Sequence, residues 1–190
     1  MNYNFNPFSG VFDSDIEKTL VPIFNHKKIQ KLIVGKEPIA IEFLGKQGRG
    51  KTSHLIYLHQ RLSEFPIFML NSGDNAKDIF KHKSEVVFVD SIHNLSFLER
   101  VRLFKSKQVV VYTTHYSRKI DCSIAKKKIK SIRFKGITIE FLKEIINKRL
   151  YLASNNKTKK YFSDNELREL INKFGDNYRG IINYLYEKYQ

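Results

Sequence analysis

The sequence predicts an α/β protein with a five-stranded parallel sheet flanked by helices and a small helical lid at its C-terminal end. Short apolar runs alternate with amphipathic segments over the first part of the chain, which is typical of parallel strands buried on both faces. A glycine-rich loop joins the first apolar run to a helix, and only helical periodicity follows residue 138. We therefore expect two domains, a core over residues 1–137 with an extended N-terminal lead-in and a lid over residues 138–190.

Five short apolar runs are the predicted strands, and the amphipathic segments beside them are the predicted helices. The strands span residues 39–44, 65–70, 86–90, 109–112 and 129–134. The helices of the core span residues 16–24, 26–34, 53–62, 76–83 and 97–104. Because ligands of parallel sheets bind at the carboxyl ends of the strands, we expect the polar residues that follow these runs to lie close together.

The C-terminal part of the chain shows helical signals alone. A stripe of apolar residues begins after Thr138, and Ser163 with Glu166 forms a capping box that opens the next helix. A third helix begins near Asn177. The polar stretch 154–160 between the first two predicts a mobile loop.

The composition is typical of a compact globular protein. Hydrophobic residues make up 42% of the 190 residues, which is enough for one sizeable core. No apolar run approaches the roughly 18 residues that span a bilayer, and the first residues lack the pattern of a secretory signal. The single cysteine, Cys122, excludes an internal disulfide. We therefore expect a cytoplasmic protein that has no membrane partner.

Basic residues outnumber acidic ones and give the chain a net charge of +15. Clustered lysines displace counterions from phosphate backbones, so this charge favours a nucleic-acid partner. Two local clusters lie at residues 126–135 and 157–160. The alternative is a compositional bias spread over the solvated surface. The two interpretations differ in whether the lysines converge on one groove.

The octapeptide Gly45–Thr52, GKQGRGKT, fits the phosphate-binding pattern G-x-x-x-x-G-K-[ST]. It lies between a predicted strand and a predicted helix, which is the context that the pattern requires. Its glycines permit backbone angles that turn successive N–H groups inward onto phosphates. We expect Lys51 to reach the terminal phosphates and the Thr52 hydroxyl to bind Mg²⁺. The predicted nucleotide-binding residues are Gly45, Gln47, Gly48, Arg49, Gly50, Lys51, Thr52 and Ser53.

Three further features complete a resemblance to the AAA+ class of P-loop ATPases. The octapeptide resembles the Walker A loop of that class, and Val86–Asp90, four apolar residues ending in a carboxylate, resembles its Walker B strand. Thr113 and Thr114 resemble sensor 1, and residues 176–179 at the start of a C-terminal helix resemble sensor 2. The resemblance covers most of the chain and implies a P-loop NTPase core with a helical lid.

The resemblance also implies ligands and residue roles. ATP and Mg²⁺ are the expected cofactors, with Asp90 binding the metal opposite Thr52. Thr114 would orient the attacking water or contact the γ-phosphate, and Arg179, carried by the lid, would detect that phosphate. Each has a structural alternative. Asp90 would cap the following turn, Thr113 and Thr114 would only finish a strand, and Arg179 would be a surface residue.

One position departs from the AAA+ pattern. The Glu that usually follows the Walker B Asp is replaced by Ser91, whose hydroxyl is a poor general base. Hydrolysis is then slow, or another residue acts as the base, and the candidates are Glu42, His93 and His115. Glu42 interrupts the buried run 39–44, where an unpaired carboxylate is costly. The alternative for Glu42 is a carboxylate paired with a lysine or capped by backbone amides.

The sequence is compatible with two main functions. The first is a magnesium-dependent ATPase switch that acts on DNA or on a DNA-bound complex. In homo-oligomers of the class an arginine from a neighbouring subunit completes the site, and Arg118, followed by Arg133, is the candidate. The segment 114–128 is short for a ring-forming protein, however. The second function is a nucleotide-binding regulatory module that binds a protein partner and hydrolyses little or no ATP. A small-molecule kinase is a weaker third, because nothing after Asp90 resembles an acceptor site.

Overall fold

A five-stranded parallel sheet forms the centre of the computed structural model, which describes residues 3–10, 15–35, 37–154, 162–175 and 177–190. The strands are β1 (Ile39–Leu44), β2 (Ile67–Met69), β3 (Val86–Asp90), β4 (Val109–Thr114) and β5 (Lys128–Arg133). Their order is β2-β3-β4-β1-β5, and every neighbouring pair is parallel. The predicted α/β class and the parallel five-stranded sheet are therefore confirmed.

Helices precede the sheet, connect its strands and fill the C-terminal part of the chain. Those in the described residues are α1 (Ile16–Thr19), α2 (His26–Val34), α3 (Lys51–His59), α4 (Lys77–Lys81), α5 (Phe97–Ser106), α6 (Lys119–Ile124), α7 (Ile139–Ala153), α8 (Asp164–Phe174) and α9 (Tyr178–Lys188). The capping box predicted at the start of α8 is present, with the Ser163 hydroxyl accepting from the Glu166 backbone N–H. The short helix α6 has no counterpart among the predicted elements.

The sheet is buried on both faces, and side chains alternate between two apolar layers. The layer on the side of α3, here the α3-side core, contains Ile41, Phe43, Phe88, Val111 and Leu55 among its residues. The layer on the opposite face, here the α5-side core, contains Ala40, Val89, Val110, Tyr112 and Phe104 among its residues. Residues adjacent in a strand therefore face different layers, which decides which polar side chains can meet.

The helix predicted over residues 16–24 is only one turn long. The chain leaves α1 at Leu20, whose φ of −71° and ψ of 140° are extended. Pro22 explains the early end, because a proline disfavours the helical conformation of the residue before it. Phe24 then packs its ring 5.2 Å from that of Phe43, in the segment that leads into α2.

The chain divides into two compact units. One contains the sheet, residues 22–46 and 51–134, and the other groups residues 1–21, 47–50 and 135–190. Within the second unit, the backbone N–H of Asn4 donates to the Ala153 carbonyl at 3.0 Å. The grouping differs from the predicted domains in where residues 1–21, 47–50 and 135–137 fall, and the predicted division into a core and a lid stays a prediction.

The second unit has its own apolar core, built from α7, α8, α9 and the N-terminal segment. Phe8 is 1% exposed in this core and attaches the N-terminal segment to the helices. Residues 155–160 of the predicted mobile loop and the basic cluster at 157–160 lie outside the described residues.

Candidate nucleotide-binding site

The glycine-rich loop runs from the carboxyl end of β1 to the first residue of α3. Gly48 and Gly50 have φ values of 79° and 76°, in the left-handed region that other residues rarely adopt. Gly45 is required by a close approach, because a Cβ atom there would lie 2.8 Å from the carbonyl oxygen of Phe134. The three glycines of the loop are thus needed by the backbone itself, and the loop fits a phosphate-binding role.

Lys51 begins α3 and is buried, with 7% of its surface exposed. Its ammonium group donates to the carbonyl oxygen of Lys46 at 2.8 Å and lies 3.4 Å from Nδ1 of His115. Folding a buried ammonium back onto its own loop places a positive charge where phosphate oxygens would be attracted.

Asp90 at the end of β3 is held by hydroxyl groups from two elements. Its Oδ1 accepts from Thr52 Oγ1 at 2.9 Å and from Thr113 Oγ1 at 2.7 Å, and its Oδ2 accepts from Ser91 Oγ at 3.2 Å. The hydroxyl and carboxylate oxygens are hard ligands of the kind that Mg²⁺ prefers. Thr52 and Asp90, predicted as metal ligands, lie together and fit that role.

The alternation of side chains explains why Thr113, and not Thr114, contacts Asp90. The β3–β4 register pairs Val89 with Tyr112, so Asp90 and Thr113 follow side by side on the α3 side of the sheet. Thr114 is fully buried on the opposite face and donates to the Tyr116 carbonyl at 2.9 Å. The sensor role predicted for Thr114 stays a prediction, and Thr113 is the residue that sequence reasoning did not select.

Glu42 lies on the face of the sheet opposite Asp90 and is fully buried. Its Oε1 accepts from Tyr112 OH at 3.2 Å and the Arg118 backbone N–H at 2.7 Å. Its Oε2 accepts from Ser117 Oγ at 3.1 Å and Ser131 Oγ at 2.8 Å. Four donors satisfy this carboxylate: one backbone amide, as the predicted alternative has it, and three hydroxyls in place of a lysine. The contacts favour an internally bonded carboxylate over a general base, a role that stays a prediction.

His93 and His115 lie next to the loop, with their ring centroids 4.5 Å apart. Nδ1 of His115 lies 3.2 Å from the Gly45 carbonyl oxygen and also close to Lys51 Nζ. It can donate a proton to the carbonyl or accept one from the lysine, but one nitrogen cannot do both at once. Burial is the main cause that lowers the pKa of His93, and the positive charges of His115, Arg118 and Lys51 add to it. The hydrogen bonding of His115 and the pKa of His93 therefore both depend on where the Lys51 ammonium lies.

The left-handed backbone of Ser91 marks the turn after β3. Its φ of 58° is uncommon for a residue with a side chain, and such conformations cluster at functional sites. The backbone N–H of Ser91 donates to Thr113 Oγ1 at 2.8 Å, so the turn and the neighbouring strand are tied together. The strain is consistent with a turn that must present Asp90 in one orientation.

The three candidate arginines lie in different places. Arg118 precedes α6 and is half-buried, and its Nε is buried without a hydrogen-bond partner in the described part of the chain. Arg133 is exposed at the end of β5. Arg179 is exposed in the first turn of α9, in the helical unit. The sensor role of Arg179 and the intersubunit roles of the other two stay predictions.

Comparisons with known proteins bear on the fold of this chain. No protein-family model matches the sequence, and the search of curated proteins finds no match. Solved structures do match, each at 12–19% identity and over 87–90% of this chain. The chain therefore has the fold of the AAA+ P-loop ATPases, as the sequence predicted.

Three of these structures can be named. The Holliday junction branch migration motor RuvB of Thermotoga maritima matches at 19% identity with a TM-score of 0.55, covering 87% of this chain and 61% of its own. The replication initiator DnaA, bound to AMPPCP and single-stranded DNA, matches at 14% with a TM-score of 0.56, covering 90% and 62%. A DNA replication initiation factor matches at 12% with a TM-score of 0.53, also covering 90% and 62%. The chain thus spans about three fifths of the length of these proteins.

A separate observation concerns membranes. No helix in the described ranges is both long enough and apolar enough to cross a bilayer.

Proposed function

We propose that this protein is a magnesium-dependent ATP-binding and ATP-hydrolysing switch that acts on DNA or on a DNA-bound complex. The observation that carries the proposal is the 2.9 Å hydrogen bond between Thr52 Oγ1 and Asp90 Oδ1, beside the buried ammonium of Lys51. A phosphate-binding loop, a cation and a pair of hard oxygen ligands are the groups that phosphoryl transfer needs.

The positively charged groups and the oxygen ligands of the site would have different roles. Backbone N–H groups of the loop and Lys51 bind the phosphates, while Thr52 and Asp90 hold Mg²⁺, which neutralises phosphate charge when bound. Thr113 supports this pair by holding Asp90 in position, as outer ligands do in many metal sites. His93 is the favoured base, because its lowered pKa keeps the ring neutral near pH 7 and able to accept a proton.

Exposed lysines on one side of the sheet support the DNA part of the proposal. Lys128 and Lys130 of the edge strand β5 are exposed and pair in register with Ile39 and Ile41. Ile41 belongs to the α3-side core, so these lysines lie on that side of the sheet. The helix α2 packs into the same core and adds three exposed lysines, Lys27, Lys28 and Lys31.

Some basic residues of the predicted clusters serve the fold instead. Lys127 is buried and donates to the carbonyl oxygens of Lys107 and Gln108. Lys107 is buried as well and donates to the carbonyl oxygens of His82 and Ser84. The positive charge available to a polyanion is therefore smaller than the sequence total.

The proposal is tested by ATP turnover of the wild type and of Asp90→Asn, with and without duplex and single-stranded DNA. We expect slow turnover that DNA accelerates, and loss of magnesium-dependent turnover in Asp90→Asn while nucleotide still binds. Unchanged turnover in Asp90→Asn would refute the metal role of the carboxylate.

Two double variants test the surface proposed for DNA. Lys128→Glu/Lys130→Glu should weaken DNA binding and reduce its salt dependence, because fewer counterions are released. Lys77→Glu/Lys83→Glu changes the same charge at two exposed lysines elsewhere and should weaken binding less. Equal losses in both double variants would show that only the net charge matters.

The alternative function is a nucleotide-binding regulator of a protein partner with little or no hydrolysis. The observation that favours it is that Ser91 stands at the position of the AAA+ Glu, and its hydroxyl donates to Asp90. Magnesium-dependent ATP binding without turnover, with or without DNA, would select this alternative.

A further inference from the structure

An exposed apolar stripe on α6 takes no part in the nucleotide site described above. Ile120 and Ile124, one turn apart on the same helix face, are 72% and 48% exposed. Tyr116, in the bend that precedes α6, is 76% exposed, and Phe97 in the first turn of α5 is 45% exposed. We refer to these four residues as the α6 stripe.

Three of the four members of the stripe come from two helices that pack against each other. Arg100 of α5 and Asp121 of α6 form a buried ion pair between the helices. Phe97 precedes Arg100 by one turn, and Ile124 follows Asp121 by one turn, so both flank this ion pair. Exposed apolar side chains that are grouped in this way mark an interaction surface.

The surroundings of the stripe are basic. Lys119 in the first turn of α6 and Lys126, directly after the cap of that helix, are exposed. The acidic residues of α5 and α6 are engaged internally: Asp121 pairs with Arg100, and Glu99 caps its own helix and accepts from the Ala76 backbone N–H at 3.0 Å. The face therefore presents apolar groups and positive charge.

We propose that the α6 stripe binds an acidic amphipathic helix of a partner protein. Apolar side chains spaced three and four residues apart would cover Ile120 and Ile124, and carboxylates beside them would pair with Lys119 and Lys126. A second copy of this chain fits less well, because each copy has a net charge of +15 and would repel the other. DNA would engage the basic rim but leave the apolar side chains exposed.

The proposal goes beyond the nucleotide-dependent function, because binding at the stripe requires no ATP. It is tested by fluorescence anisotropy with three labelled peptides, namely a Leu/Glu amphipathic helix, a scrambled peptide of the same composition, and a Leu/Lys helix. The wild type should bind the Leu/Glu helix at least about tenfold more tightly than either of the others. Equal binding of the Leu/Lys helix or the scrambled peptide would overturn the proposal.

Variants locate the binding surface. Ile120→Ser/Ile124→Ser should lose at least about tenfold in affinity for the Leu/Glu helix. Met69→Ser is the control, since Met69 is 49% exposed on β2, and should bind the peptide as the wild type does. Unchanged affinity in the double variant would overturn the proposal.

Two measurements exclude the other occupants. If the wild type sediments as a dimer and Ile120→Ser/Ile124→Ser as a monomer, the stripe binds a second copy and the proposal fails. If duplex DNA displaces the Leu/Glu helix, the surface binds nucleic acid and the proposal also fails. Lys51→Ala should bind the peptide normally, so failure of this proposal is distinguishable from failure of the nucleotide proposal.

Discussion

At the scale of single residues, the carboxylate of Asp90 shows how two strands and a helix build one site. Thr52 from α3 and Thr113 from β4 both donate to the same oxygen, Oδ1. The second oxygen accepts from Ser91, so the carboxylate is oriented from three directions. A ligand fixed in this way loses little freedom when it binds a metal ion.

Thr113 and Thr114 allow a matched test, because they are adjacent but face opposite sides of the sheet. Thr113→Val removes a hydrogen bond to Asp90, so we expect about tenfold weaker binding of Mg²⁺ with the nucleotide. Thr114→Val makes the same chemical change away from Asp90 and should cost about 1 kcal/mol of stability with little effect on Mg²⁺. Magnesium titrations of ATP-analogue binding distinguish the two, and equal losses would contradict the geometry.

Glu42 allows its two interpretations to be separated. Glu42→Ala leaves four donors without their acceptor, the buried Tyr112 hydroxyl among them, so we expect the free energy of unfolding to fall by at least about 2 kcal/mol. Glu42→Gln keeps the shape and one carbonyl oxygen, and it should remain closer to the wild type in urea denaturation. If Glu42→Gln is stably folded but has lost ATP turnover, the residue is a general base and the structural interpretation is wrong.

His93 predicts a dependence of stability on pH. Its pKa in the folded protein is lowered from the ordinary value of 6.5, chiefly by burial. Below pH 6.5 the unfolded chain takes up a proton on His93 that the folded protein resists. The contribution of His93 to stability is therefore complete above pH 6.5 and is lost as the pH falls toward the lower pKa of the folded protein. His93→Asn should therefore lose less stability than the wild type between about pH 7 and about pH 5, as measured by urea midpoints. Parallel pH profiles would contradict this prediction.

At the scale of elements, the glycine-rich loop depends on a close backbone contact with the residue after β5. Gly45→Ala would place a methyl group against the Phe134 carbonyl oxygen and Cβ, so we expect a loss of about 1–3 kcal/mol in stability and weaker nucleotide binding. Gly10→Ala is the control, because nothing lies within 4 Å of a Cβ atom there. Thermal unfolding of both variants measures the difference, and equal stability would show that the loop has room for a side chain.

Elements with strong local signals could be predicted, and elements decided by tertiary context could not. The apolar runs of β1, β3 and β4 predicted strands that the structure contains, and the capping box at Ser163 predicted the start of α8. The strand order has no local signal, because it depends on how helices pack over the sheet. The short helix α6 was missed because it exposes Ile120 and Ile124 and lacks the usual buried stripe.

The site was predictable in composition but less so in geometry. The loop, Lys51, Thr52 and Asp90 follow from a motif whose spacing reflects backbone chemistry. Which of Thr113 and Thr114 contacts Asp90 was not predictable from residue type, because a threonine does not indicate which face of the sheet it occupies. Side chains two residues apart in a strand face the same side, so Asp90 lies on the side of Phe88 and Thr113 on the side of Val111. The same rule places Glu42, next to Ile41, on the other side.

At the scale of the whole molecule, the charge and the fold suggest different partners. The net charge of +15 favours polyanions, yet Lys107, Lys127, Arg100 and Arg149 are buried and hold the fold together. The exposed lysines on β5 and α2 form the surface proposed for DNA, whereas the α6 stripe is the surface proposed for a protein. A switch that bridges a DNA-bound complex would use both surfaces.

The most direct test of the account is ATP binding by the wild type and by Lys51→Ala, titrated with and without Mg²⁺. Lys81→Ala, at an exposed lysine of α4, is the control, and thermal unfolding verifies that each variant is folded. We predict binding that requires Mg²⁺, is unchanged in Lys81→Ala and is weakened at least about tenfold in Lys51→Ala. Equal affinity in a folded Lys51→Ala protein would contradict the assignment of this loop as a nucleotide site.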